Sequence, residues 1–338
     1  MTKKILVVFG ATGNQGGSVI DTFLSNPHLA SHYHLRAVTR DASRPAVKAL
    51  QAKGAEVVEG DVDDTASLAR VLDGAHIVFL TTMSIYDEQL RQREERQVRA
   101  VVDAIATGGT SKTVRQIIFS SLPDATSISG GKYQVQAFDS KYWLEHNVIR
   151  PWAASHGIRT AFYAPGVFFQ NLHGWLRPQP VETKTSTATA TTATTATTTT
   201  STTTTTTTKY AIRSPYLPMT AFPWTDASAD TGKWVAAAVE EPEKYDGSVF
   251  CGATRVYTME EVVQAVSRAT GKTVVLETAP LPEATTHGAL QAMTQFLNEF
   301  PYYGDDQEGK LRWAQEQARP FGALTTLEEY LARNPLVL

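Results

Sequence analysis

Glycines 10, 13 and 16 lie between the apolar run Ile5-Leu6-Val7-Val8-Phe9 and a stretch with helical periodicity. Glycine allows a tight turn and close approach of the backbone to a pyrophosphate, whose charge then rests on free N–H groups at a helix start. Gly10, Thr12, Gly13, Asn14, Gln15 and Gly16 are therefore candidates for a dinucleotide-phosphate cradle. A second apolar run at 33–39 completes the strand, helix and strand that such a cradle requires. That run ends Thr39-Arg40-Asp41, which puts Arg40 where an NAD-binding fold offers a carboxylate to the ribose. An arginine there favours a 2′-phosphate, and Arg44 supplies a second guanidinium for a paired grip on phosphate oxygens. The expected cofactor is NADP, with NAD kept open by the adjoining Asp41. Asp61, in Gly60-Asp61-Val62-Asp63, is positioned to accept from an adenine amino group, and Thr81 and Thr82 close a strand beside the cofactor channel.

The elements that must hold these residues follow from hydrophobic patterning. Apolar runs at 5–9, 33–39, 56–59, 76–81, 116–120 and 159–163 predict strands, alternating with helices over 14–25, 44–53, 65–72, 87–106 and 140–156. Such alternation specifies an α/β chain with a Rossmann doubly wound parallel sheet. The charge-rich stretch 87–99, with Glu95 and Arg99 one turn apart, reads as a solvated helix face. Residues 183–208 are almost all threonine and alanine and offer nothing to a core, so the expectation is a disordered insertion. Prolines 215, 218 and 223 predict an extended, loop-rich segment over 210–224, followed by helices at 230–239, 258–269 and 282–300 and a strand at 248–251. The division expected is a nucleotide-binding domain over 1–165 and a smaller α/β lobe over 166–338, interleaved with it and completing a substrate pocket.

Composition narrows the function. A chain of 338 residues with 42% hydrophobic residues can bury a sizeable core. Its net charge of −3 offers no basic field, so direct nucleic-acid binding is not expected and any role in transcription needs a protein partner. The single Cys251 forms no internal disulfide, and the histidines, including His28, His32 and His34, make no metal-ligand pattern. No stretch is long and apolar enough for a bilayer. The expected location is cytoplasmic, or nuclear for a regulator.

The motifs GATGNQGGSV at 10–19, FSSLPD at 119–124, AFDSK at 137–141, APGVFFQN at 164–171 and Pro223-Trp224-Thr225-Asp226 resemble those of the NmrA-like family, atypical members of the short-chain dehydrogenase/reductase superfamily. The glycine spacing also matches extended and atypical members of that superfamily rather than the GxGxxG fingerprint. The resemblance implies a Rossmann domain, a smaller lobe, and one of two occupations. One is an NADP-dependent oxidoreductase acting on a small organic substrate, in some branches within a biosynthetic pathway. The other is a non-catalytic NAD(P) redox sensor that acts on transcription through a regulatory protein partner.

Typical members of the superfamily use a tyrosine as acid/base, a lysine four residues later and a serine that orients the carbonyl. By that resemblance Lys141 is the lysine and Ser120 or Ser121 the serine, but Ala137 stands where the tyrosine belongs. Alanine transfers no proton, so a mechanism resting on Lys141 as acid/base and ribose holder is what remains for an enzyme. Tyr133 and Tyr142 are phenols available from other positions, although packing is the commoner use of each. Pro165, Phe168 and Asn171 match a family PxxFxxN pattern. It implies Phe168 beside the nicotinamide, Pro165 among the cofactor-binding residues and Asn171 in the floor of the cleft; Tyr133 is a separate candidate on the substrate side.

Overall fold

The computed structural model describes residues 2–107, 113–181, 185–194, 197–206, 209–280 and 289–338. The first part of the chain runs β1 (Lys4–Val8), α1 (Asn14–Ser25), α2 (Pro27–His32), β2 (Tyr33–Thr39), α3 (Pro45–Ala52), β3 (Glu56–Glu59), α4 (Thr65–Leu72) and β4 (Ile77–Leu80). It continues with α5 (Leu90–Thr107), β5 (Gln116–Ser120), α6 (Ala125–Ile128), α7 (Gln136–Leu144), α8 (Arg150–His156) and β6 (Arg159–Pro165). The second part comprises β7 (Val167–Phe168), β8 (Gln179–Val181), β9 (Thr185–Thr194), β10 (Thr197–Thr206), β11 (Lys209–Ser214), β12 (Ala221–Thr225) and α9 (Ala227–Glu240). After these come β13 (Ser248–Gly252), β14 (Arg255–Thr258), α10 (Met259–Thr270), β15 (Val274–Thr278), α11 (Ala289–Glu299), α12 (Gln307–Ala318) and α13 (Leu327–Arg333).

Seven strands form one parallel sheet in the order β13-β6-β5-β4-β1-β2-β3. From β1 the chain winds outward through β2 and β3, then returns to β4 and winds the other way, so the topological switch lies between β1 and β4. A crevice for ligand opens at the carboxyl ends of strands at such a switch. The central strands Leu6-Val7-Val8 and Ile77–Leu80 are buried on both faces, as a parallel sheet between two helix layers demands. On one face Val19, Ile20 and Phe23 of α1 pack with Trp234, Val235 and Ala238 of α9. On the other, Leu68 and Val71 of α4 meet Val98, Val101 and Ile105 of α5.

The smaller lobe is built from two three-stranded sheets, β15-β11-β8 and β14-β12-β7, over a core that includes Phe169, Trp224, Tyr257, Phe296 and Tyr330. The segment expected to be loop-rich over 210–224 therefore contributes two strands. Past residue 166 the chain does not stay in this lobe: β13 pairs with β6 in the main sheet, and α9 covers it.

The expectation of disorder across 183–208 needs correction for its described residues. Thr185–Thr194 and Thr197–Thr206 pair as an antiparallel two-stranded ladder, from Thr197 opposite Thr194 to Thr206 opposite Thr185. Threonine is β-branched and favours extended backbone even where it contributes no core. This ladder joins neither three-stranded sheet. Residues 182–184, 195, 196, 207 and 208 lie outside the described residues, as do 281–288 of the expected helix at 282–300.

Candidate functional site

The turn after β1 has the geometry that its glycines suggest. Gly10 has φ +67°, and a Cβ there would stand 2.7 Å from Thr81 Cγ2. A Cβ on Gly16 would lie 2.3 Å from the Gly10 carbonyl oxygen, so α1 can approach the turn this closely only with glycine at that position. Gly13 caps α1 without a side-chain bond, and no acidic residue lies in the first turn. The opening N–H groups of Asn14, Gln15 and Gly16 are thus left to an anion, in a field that favours negative charge. Asn14 and Gln15 brace the turn with their side chains: Ser228 donates to Asn14 Oδ1 (3.0 Å) and Ser120 donates to Gln15 Oε1 (2.8 Å).

At the end of β2, Arg40 and Arg44 are exposed, and neither guanidinium forms an ion pair among the described residues. Asp41 Oδ1 accepts from both the backbone N–H (2.9 Å) and hydroxyl (2.6 Å) of Ser43. Those bonds lower the Asp41 pKa and keep its carboxylate engaged with its own turn. Asp61 likewise accepts from the Asp63 N–H (3.0 Å) just past β3. An unpaired arginine pair beside an engaged carboxylate suits a phosphate better than a ribose diol.

Lys141 is buried on α7, and its ammonium donates to Thr82 Oγ1 (2.6 Å) and Glu94 Oε1 (2.7 Å). Glu94, on α5, is fully buried. Its Oε1 also accepts from Thr82 (2.9 Å) and Ser84 (2.7 Å), and its Oε2 accepts from Ser140 (2.6 Å). Burial alone would raise the Glu94 pKa, but the charge of Lys141 and the bonds from Lys141, Ser140 and Ser84 outweigh it and hold the carboxyl below its ordinary range. The group facing Lys141 is thus a carboxylate rather than a second cation.

Helix α7 presents Lys141 through its own cap. The Asp139 carboxylate reaches back to the Val135 N–H (2.8 Å) and across to the N–H (3.0 Å) and hydroxyl (2.7 Å) of Thr126. At its other end the helix runs into a π-helical turn, Glu145–Ile149, before α8. Pro151 has no N–H to bond back and its ring crowds the preceding turn, so a widened turn is the local solution.

The remaining candidates divide. Thr81 and Thr82 lie at the switch point, Thr81 against the glycine turn and Thr82 on Lys141. The hydroxyl of Ser120, a catalytic candidate, is committed to Gln15, whereas that of Ser121 is buried without a partner among the described residues. Pro165 closes β6 with its carbonyl accepting from the Tyr302 hydroxyl (3.0 Å). Phe168 is half-buried on β7, which pairs with β12. Asn171 lies in a 3-10 turn; its backbone carbonyl accepts from Gly174 and Leu176 (both 3.0 Å). Tyr133 is expected on the substrate side, but its hydroxyl donates to Glu299 of α11, which Lys132 also engages. Tyr142 stacks on His146 with ring centroids 3.9 Å apart. Ala137 is buried in the small-lobe core, where it can transfer no proton.

Glu94 corrects the reading of 87–99 as a solvated face. Glu95 and Arg99 do form an exposed ion pair at 2.8 Å, but Leu90, Glu94, Gln97, Val98 and Val101 form the buried stripe of the same helix. That spacing carried the missed signal, because a glutamate in register with valines needs a buried partner. A recess of about 520 Å³ between α1 and α9, lined by residues including Asp21, Asn26, Ser228 and Lys233, contains neither Lys141 nor Glu94.

With the geometry established, comparison with known proteins gives the family. The model of the NmrA-like family matches residues 1–331. The chain belongs to the NmrA-like family. The NmrA-like family domain-containing oxidoreductase himF of Aspergillus japonicus is 32% identical over 52% of this chain, a match that spans only 49% of himF. The NmrA-like family domain-containing oxidoreductase lnaB of Aspergillus flavus is 26% identical, covering 80% of this chain and 74% of lnaB. Among solved structures, a mutant of NmrA aligns with a TM-score of 0.73 at 21% identity, over 99% of this chain and 96% of that one. NmrA itself, described as a negative transcriptional regulator, has been crystallised with NADP and with NAD. The Citrobacter triphenylmethane reductase aligns at a TM-score of 0.65 and 17% identity, over 98% of both chains. These structural likenesses establish the Rossmann-like fold of this NmrA-like protein. No helix among its described residues is long and apolar enough to cross a membrane.

Proposed function

We propose that this NmrA-like protein is an NADP-dependent oxidoreductase that transfers hydride between NADP(H) and a small organic substrate. The observation that carries the reading is the buried Lys141–Glu94 pair at 2.7 Å, beside the end of β4 and reached by the residues that follow it. A protein that only binds a nucleotide has little use for an ion pair there, since two charges taken from water are costly to bury. The names of relatives such as himF and lnaB as oxidoreductases support the same class.

The residues fit the cofactor in order along the sheet edge. The Gly10–Gly16 turn takes the pyrophosphate, Arg40 and Arg44 take the 2′-phosphate, and Asp61 takes the adenine amino group. Thr81, Thr82, Pro165 and Phe168 border the nicotinamide half. NADP when bound supplies the hydride acceptor or donor. An ammonium has three donors, and two of Lys141's go to Thr82 and Glu94, which leaves the third for a ribose hydroxyl or for proton delivery to substrate. Ser121, whose hydroxyl has no partner among the described residues, is the serine free to bond a bound carbonyl or carboxamide. Ser120 acts through Gln15 to hold the turn.

A second reading, a non-catalytic NAD(P) sensor that acts through a regulatory protein partner, is favoured by Ala137, which removes the usual proton donor. Calorimetric titration with NADP, NADPH, NAD and NADH, followed by an assay of NADPH oxidation against quinones, imines and carbonyls, separates the two. NADPH-dependent turnover supports the enzyme. Binding of oxidised dinucleotide without turnover supports the sensor, and binding of none refutes both.

A further inference from the structure

We propose that Gln97 is a positioning residue that ties the adenine end of the cofactor site to the Lys141 cluster, so that filling one end orders the other. The proposal rests on the NADP site of the oxidoreductase reading and adds a coupling between its two halves.

Gln97 lies on the buried stripe of α5, one turn after Glu94, and is 1% exposed. An amide buried beside valines is tolerated only when both of its ends are bonded. Both are, and each bonds a different loop. Its Nε2 donates to the carboxylate of Asp63, at 3.2 Å to Oδ2 and 3.4 Å to Oδ1. Its Oε1 accepts from the Met83 N–H (3.2 Å). Glutamine carries donor and acceptor on one planar group, so a shift of either loop is passed to the other or breaks a buried bond.

The two loops serve opposite ends of the cofactor. Asp63 follows β3, and its own N–H donates to Asp61 Oδ1 (3.0 Å), the carboxylate expected to accept from the adenine amino group. Asp63 is exposed, and among the described residues its carboxylate has Gln97 as its bonding partner. Met83 follows β4. Thr82 and Ser84, on either side of it, both donate to Glu94 Oε1 (2.9 and 2.7 Å), and Thr82 accepts from Lys141 (2.6 Å). Strands β1 and β2 stand between β4 and β3 in the sheet and lead into the glycine turn and Arg40. The Asp63–Gln97–Met83 bridge therefore spans the strands across which the cofactor is expected to lie.

The loop after β4 depends on such ties. Met83, Ile85 and Tyr86 are exposed, so apolar burial does little to hold it. Its polar anchors are Gln97 on Met83, Glu94 on Ser84 and the Asp87–Arg93 ion pair (2.6 Å). Glu94 and Gln97 belong to the same buried stripe of one helix, so the loop that places Thr82 against Lys141 is held in register with the turn after β3. A 2′-phosphoadenosine moiety that orders Asp61 and Asp63 thereby steadies Thr82, Ser84 and Lys141 for the nicotinamide half. Linkage requires the reverse as well: a filled nicotinamide end tightens the adenine end by the same factor.

The test uses the two halves of the cofactor as separate probes, adenosine 2′-monophosphate and reduced nicotinamide mononucleotide, on the full chain as wild type, Gln97→Met and Asp63→Ala. Calorimetry gives the affinity of each probe alone and in the presence of the other, and hydrogen exchange follows the Met83 amide. In the wild type, saturating adenosine 2′-monophosphate should tighten mononucleotide binding about fivefold or more and slow Met83 exchange severalfold. In both variants that factor should fall below about twofold, with each probe alone bound within about threefold of wild type. Asp63→Ala separates coupling from folding, because it changes an exposed side chain and leaves the Gln97–Met83 bond in place. Its basal Met83 exchange should match wild type while the response to adenosine 2′-monophosphate is lost. That response decides alone if Gln97→Met fails to fold or the mononucleotide binds too weakly to titrate. Independent binding of the two probes to the wild type, or coupling that survives in either variant, overturns the proposal and leaves the NADP site standing. A wild type that binds NADP but not adenosine 2′-monophosphate does the same, since the adenine end then has no anchor of its own. A wild type that binds no NADP overturns the oxidoreductase reading and the coupling with it.

Discussion

Replacing Glu94 by glutamine removes one charge from a buried pair while keeping nearly the same shape. Lys141 then loses the carboxylate 2.7 Å away, with both side chains shielded from water. Removing one partner of a buried ion pair costs about 3–5 kcal/mol, because the other charge is left without compensation. With an unfolding entropy of about 2.1 cal/mol/K per residue, 338 residues give about 0.7 kcal/mol/K, so the melting temperature should fall by roughly 4–7 °C. The effect has a pH signature. Because the folded Glu94 pKa lies below its unfolded value, its stabilisation is complete above about pH 4.3 and is lost as the pH falls through the folded value. The gap between wild type and Glu94→Gln should persist from about pH 7 to about pH 5 and shrink below about pH 4. Adding Lys141→Met should recover part of the loss, since an apolar replacement of both partners leaves no orphaned charge. Thermal and denaturant unfolding at several pH values measure all of this. A Glu94→Gln protein within about 0.5 kcal/mol of wild type at neutral pH, or a gap that widens on acidification, would refute the reasoning.

Other perturbations address the cofactor turn and the chain around it. Gly16→Ala would push a Cβ to 2.3 Å from the Gly10 carbonyl and should weaken dinucleotide binding at least a hundredfold, read by calorimetry. Arg40→Ala together with Arg44→Ala should lower NADP affinity about tenfold to a hundredfold, as loss of charged hydrogen bonds worth about 1.5–3 kcal/mol predicts, and leave NAD affinity nearly unchanged. Ser121→Ala should stabilise the ligand-free protein slightly in a thermal melt, because it removes a buried hydroxyl with no partner among the described residues, and should lower turnover. Excision of residues 185–206, whose strands pair with each other and with no other sheet, should leave NADP affinity and cooperative unfolding intact.

Much of the main sheet was legible because its signals are local. Strands 33–39, 56–59 and 116–120 and the helices at 14–25 and 65–72 stand where periodicity puts them, since each is a short apolar run or an amphipathic turn with its own stops. Helix α7 starts four residues earlier than its pattern suggests, at Gln136, because its cap comes from Asp139 folding back with Thr126 as a tertiary partner. The small lobe was opaque for a similar reason. Its strands run two to six residues and pair across the lobe, so Val167–Phe168 is a strand only because Thr225 lies beside it. At the site, the glycine turn could be read directly from residue types, whereas Glu94 was hidden in a charge-rich stretch where composition masked the face it occupies. Tyr133 shows what residue type alone leaves out: its hydroxyl is bonded to Glu299, a partner far along the chain.

The most direct test of the central claim is NADPH consumption by the purified protein and by Lys141→Ala, assayed side by side against quinones, imines and carbonyls after both are shown to fold and to bind NADPH. The account predicts turnover by the wild type and a loss of at least a hundredfold in the variant, with NADPH affinity reduced far less. A wild type that binds NADPH but transfers hydride to none of these acceptors, or a Lys141→Ala protein that turns over as fast as the wild type, would contradict it.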